Sequence, residues 1–81
     1  MSRIPLQPLQ NFVTAARLGN LTRAADSLNL TVSALSHQMR QLEERLGYAL
    51  LQRQARGVRV TPEGQRLLEQ VGPHLDAISL A

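Results

Sequence analysis

Ser33, Ser36, His37 and Arg40 stand at i, i+3, i+4 and i+7, so a helix through them carries two hydroxyls, an imidazole and a guanidinium along one ridge. Ser33 and His37 lie one turn apart, a spacing open to a nucleophile and its base. No carboxylate is placed to orient the imidazole, however, and no oxyanion donors are evident. No catalytic residue is assigned, and the chain is read as a non-enzyme. His37 and His74 are far apart without a supporting ligand cluster, and there is no cysteine to supply thiolate, so neither a metal nor a cofactor is expected. Hydrogen bonding to the edges of base pairs remains. Serine donates to or accepts from any base, and histidine or arginine donates to guanine O6 and N7. The bland alternative is an ordinary solvated helix face.

Arg53, Arg56 and Arg59 form a second set, suited to phosphates or an adjacent minor groove. All 9 basic residues are arginine, and every one except Arg66 falls within residues 1–60, where the acids are Asp26, Glu43 and Glu44. Residues 61–81 hold Arg66 against Glu63, Glu69 and Asp76. This asymmetry and an isoelectric point near 11.1 suggest a polyanionic partner for the first sixty residues. A genome rich in GC would give the same arginines without one. Phe12 and Tyr48 are the only aromatics, which disfavours stacking on single strands and leaves double-stranded DNA as the better polyanion. No apolar run is long enough to span a membrane and no signal segment opens the chain, so a cytoplasmic protein is expected.

Helices must position both sets. Leu6, Leu9, Val13 and Ala16 form one stripe, with Pro8 tolerated in the first turn and Gly19-Asn20 suited to a left-handed cap. A short second helix, capped by Asn20 or Thr22, buries Ala24, Ala25 and Leu28, and its two adjacent alanines let another helix approach closely. Thr31 caps a third helix that runs to about Leu46 and stops at Gly47. Its apolar side, Leu35, Met39, Leu42 and Leu46, centres more than about 120° from the polar ridge. Residues 50–60 then read as a short hairpin, with Val58, Arg59 and Val60 alternating around an arginine-bearing tip. Thr61-Pro62-Glu63 starts a fourth helix striped by Leu67, Leu68, Val71, Leu75 and Ile78, in which Pro73 predicts a kink or a break. Little chain remains to cover that stripe, so Leu67, Leu68, Val71, Leu75 and Ile78 are assigned to an antiparallel contact between two copies. Glu43 and Glu44 are read as solvated or paired with nearby arginines.

Two helices joined by a tight turn, the second with a free polar face, followed by a basic hairpin, make a mainly α winged helix-turn-helix. It consists of a three-helix unit plus a short β-hairpin wing, with a long linker or dimerisation helix after it. Residues 6–64 resemble the DNA-binding domain of LysR-type transcriptional regulators. The likeness runs through Phe12-Val13, Ala16, Gly19-Asn20-Leu21-Thr22, Ala24-Ala25, Leu28, Thr31, Ser33-Ala34-Leu35-Ser36 and Gln38. It continues through Leu42-Glu43, Leu46-Gly47, Leu50-Leu51-Gln52-Arg53, Gly57-Val58 and Thr61-Pro62-Glu63-Gly64. The resemblance implies a helix-turn-helix at 21–40, a wing at 50–60, and a linker and dimerisation helix at 62–81. It also implies transcription regulation by a homodimer whose third helix, 31–46, enters the major groove at operator half-sites.

Departures from the family pattern bear on which operator is read. Val32 replaces a frequent glutamine or proline, and can touch a thymine methyl. His37 replaces a frequent arginine, which shortens the reach and makes that contact depend on protonation. Leu51 replaces a usual phenylalanine. The expected base contacts are therefore Val32, Ser33, Ser36, His37 and Arg40, and the expected backbone contacts are Thr22, Thr31, Arg53, Arg56 and Arg59. The family's effector-binding domain is not within these residues, so DNA binding without a small-molecule effector is expected. A winged-helix regulator of the molybdate-responsive type is a near alternative. A protein-interaction module with incidental arginines is the alternative from another class.

Overall fold

The computed structural model describes the backbone of residues 6–55 and 57–80, with side chains in that set as far as Asp76. In chain order it has α1 (Leu6–Leu18), α2 (Leu21–Ser27), α3 (Val32–Leu46), β1 (Leu51–Gln54), β2 (Gly57–Val60) and α4 (Pro62–Leu80). This is the expected winged helix-turn-helix. Its boundaries follow from local chemistry. Gly19 takes φ 64° and donates its N–H to Ala15 O at 2.9 Å, closing α1 with a left-handed residue. Asn20 caps α2, its side chain accepting from Arg23 N, which leaves the Thr22 hydroxyl out of that role. Thr31 caps α3 by accepting from Ala34 N at 3.0 Å, and Gly47 at φ 85° ends it.

The core lies where α1, α2 and α3 meet. Phe12, Leu35, Met39, Leu42 and Leu50 are its largest fully buried apolar side chains. Ala24 and Ala25, both buried, are the small surface on which α2 closes against its neighbours. Leu50 carries this core to the foot of the wing. There β1 and β2 pair antiparallel, Leu51 opposite Val60 and Arg53 opposite Val58. So short a hairpin needs support from outside itself. Val58 N donates to Gly19 O at 3.2 Å, and a Cβ on Gly57 would stand 2.4 Å from that same oxygen. Only glycine lets the wing press so closely on the α1–α2 turn.

Thr61 starts α4 from a buried position. Its hydroxyl accepts from Gly64 N at 2.9 Å and donates to Ala49 O at 2.6 Å. α4 then runs unbroken through Pro73, which resolves the choice between a continuous helix and two. Proline removes one helical hydrogen bond, but the helix beyond it is anchored. Leu75 is buried in the core, and Asp76 receives both guanidinium nitrogens of Arg17 on α1, at 2.8 and 2.7 Å. The expectation that Leu75 lies uncovered is therefore corrected, because α1 packs against that part of α4. Leu67, Leu68 and Val71 are only partly covered. No described helix is long and apolar enough to cross a membrane.

Candidate nucleic-acid interface

α3 presents the ridge. Its back is closed by Leu35, Met39 and Leu42, all buried, while Ser33, His37 and Arg40 are exposed and Val32 is 41% exposed. Ser36 departs from the expected ridge: it is only 9% exposed. At 100° per residue it lies about 60° from Ser33 but also about 60° from Met39, on the flank between ridge and core. A hydroxyl is small and polar enough to suit either setting, so its type alone did not reveal the side. The same flank carries Glu43, whose expected role is also corrected. Glu43 Oε2 accepts from the backbone N–H groups of both Leu50 and Leu51, at 2.6 and 3.1 Å. That carboxylate clasps the neck of the wing to α3 instead of lying free in solvent.

Tertiary packing gathers part of the second expected set. A cleft of about 370 Å³ is lined by Asn20, Thr22, Arg53, Gly57 and Val58, so the start of α2 and the wing face one another. A second, of about 350 Å³, is lined by Thr22, Arg23, Thr31 and Val32. Thr22 therefore stands between Arg53 on one side and the N-terminus of α3 on the other. Arg59 is not gathered with them. Arg53 pairs with Val58 and Arg59 with Gln52, and successive strand residues alternate, so the two arginines occupy opposite faces of the hairpin. Arg56 and the side chain of Ile78, both expected to make contacts, lie outside the described residues.

Charge is distributed differently from the simple count. Hydrogen bonding to Asp76 raises the Arg17 guanidinium further above its ordinary value, and the same bonds hold the Asp76 carboxyl below the usual aspartate range. Both side chains are about half exposed, so the pair orients α4 more than it stabilises the fold. Arg17 is thereby committed to α4. Burial excludes Thr61 from any phosphate contact, since its hydroxyl is used within the domain.

Sequence reasoning missed the polar ties that hold this surface. Asn11 is buried in α1 and donates to Gln38 on α3, while Gln7 donates to Asn11 Oδ1 at 3.1 Å. Periodicity gave no signal for Asn11, which stands about 180° from the centre of the Leu6, Leu9, Val13 and Ala16 stripe and is buried only because α3 covers that side of α1. Nothing local marked Glu43, whose partners lie in the next element.

Comparison with known proteins bears on this geometry. The family model for the bacterial regulatory helix-turn-helix protein, lysR family, matches residues 6–65. The chain is 49% identical over 70 residues to the HTH-type transcriptional regulator AbaB of Streptomyces antibioticus, covering 86% of this chain and 23% of that protein. It is 45% identical over 76 residues to the HTH-type transcriptional activator AmpR of Pseudomonas aeruginosa, covering 94% of this chain and 26% of that one. The chain thus spans about a quarter of the length of these curated relatives. Among solved structures, the CbnR DBD–DNA complex superposes with a TM-score of 0.85 at 32% identity, covering 94% of this chain and 87% of that chain. The complex of the BenM DBD with catB site 1 DNA gives 0.86 at 35% identity, covering 95% and 86%.

Proposed function

The chain belongs to the lysR family of bacterial regulatory helix-turn-helix proteins, and from that membership we propose that it is the DNA-binding head of a transcription regulator. α3 enters the major groove, where Val32, Ser33, His37 and Arg40 meet base edges and Ser36 serves from the flank. Thr22, Thr31 and Arg53 grip one stretch of phosphate backbone, and Arg59 reaches a separate one from the other face of the wing. Two copies join along α4 through Leu67, Leu68 and Val71, presenting two ridges to half-sites on one face of the duplex. The protein works in the cytoplasm and its role is binding, not catalysis. The observation that carries this reading is an exposed polar ridge on a helix whose other face is closed by Leu35, Met39 and Leu42, beside a cleft that pairs Thr22 with Arg53.

The test is selection of duplexes from a random pool, followed by titration of the enriched and a random duplex at two salt concentrations. A preferred duplex is expected. His37→Ala reduces the preference, whereas Arg53→Ala weakens both duplexes and lowers the salt slope by about one. Negligible affinity at either salt would instead support a protein-interaction module. Equal losses on every duplex for His37→Ala would defeat the division between base reading and backbone grip.

A further inference from the structure

We infer that Asn11, on α1 and remote from the ridge, is a positioning residue for base discrimination, setting the rotation of α3 through its bond to Gln38. This rests on the DNA-binding reading above. The interface behind α3 is built from Phe12, Leu35, Met39 and Leu42, and apolar packing has little directional preference. A helix held by such contacts alone can roll. Its side-chain tips lie about 5–6 Å from its axis, so a roll of about 10° swings them by about 1 Å. Hydrogen bonds to base edges weaken steeply with such misalignment.

Asn11 supplies the missing direction. It is 2% exposed, its Nδ2 donates to Gln38 Oε1 across the α1–α3 interface, and its Oδ1 accepts from Gln7 Nε2. The amide is thus held from one side by its own helix and holds α3 from the other. Gln38 directly follows His37 in the chain, on the flank opposite Glu43. Glu43 ties its own flank to the N–H groups of Leu50 and Leu51. Restraint on both flanks opposes rotation in either sense. Buried, satisfied polar bonds fix one arrangement among several apolar packings of similar energy.

Asn11→Leu and Gln38→Ala are titrated against the duplex that the wild-type chain enriches from a random pool and against a random duplex of equal length, with thermal unfolding measured alongside. Both variants are expected to lose about tenfold of the enriched-over-random ratio. The salt slope stays at its wild-type value, because the phosphate contacts are untouched. Gln38→Glu, whose carboxylate still accepts from Asn11, keeps the wild-type ratio. An unchanged ratio in Gln38→Ala overturns the inference, even with a lowered Tm, since the bond would then serve stability alone. A loss that Gln38→Glu shares overturns it too. If Asn11→Leu fails to fold, Gln38→Ala decides, because Gln38 is only partly buried whereas Asn11 is 2% exposed. A wild-type chain with no preferred duplex removes the function proposed above and this inference together; a wild-type preference that both loss variants retain removes only the inference.

Discussion

α3 and α4 are both amphipathic, both striped by leucine at three- and four-residue spacing, yet they end in different circumstances. α3 is enclosed by α1 and α2, and Glu43 ties it to the neck of the wing, so its apolar side is closed and its polar ridge is what remains outside. α4 packs chiefly against α1 and β2; Leu75 is buried, while Leu67, Leu68 and Val71 are only partly covered. The spacing of apolar residues says that a stripe will seek cover. How many neighbours are available to provide it depends on the rest of the chain.

The sharpest way to break this contrast is to open the back of α3. Leu35→Ala is expected to lower unfolding stability by about 2–5 kcal/mol in a urea titration, the range for a fully enclosed leucine. A loss below about 1 kcal/mol would mean that α3 is no better braced than α4. Glu43→Ala comes next. It leaves two N–H groups at the neck of the wing without their acceptor, for an expected loss of about 1–3 kcal/mol. Amide exchange at Leu50 and Leu51 should quicken in the same variant, ahead of the rest of the domain.

On α4 the effects shrink. Leu68→Ala should lower the unfolding stability of the dilute chain by only about 1 kcal/mol, as suits a half-covered side chain. Sedimentation at rising concentration should show a larger change in self-association, which locates the rest of its cover on a second copy. The smallest effect belongs to the exposed Arg17–Asp76 pair. Because the folded Asp76 carboxyl titrates below its ordinary range, the tie is complete above that range and is lost as pH falls through the lowered value. Asp76→Asn should remove this pH dependence, and exchange of the α4 amides beyond Pro73 should quicken at neutral pH.

Much of this was legible in the residues themselves. Thr31 and Gly47 marked both ends of α3, and the Val58-Arg59-Val60 alternation marked β2, because caps and strand periodicity act over a few neighbouring residues. Ser33, His37 and Arg40 were placed correctly on the open side by the helical period. Ser36 was not, because a flank position has no periodic signature and its burial depends on what packs alongside. Arg53 and Arg59 were grouped by type, and strand register put them on opposite faces.

Local sequence determined the elements, their ends and the two faces of α3, since backbone geometry and side-chain periodicity suffice for these. Tertiary structure decided how the faces are held: Asn11 reaching Gln38 over 27 residues and Arg17 reaching Asp76 over 59. It also decided that α4 continues past Pro73, because the helix beyond that residue is anchored by partners distant in the chain. Such bonds need two side chains brought within about 3 Å by the packing of everything between them, and no local pattern records that.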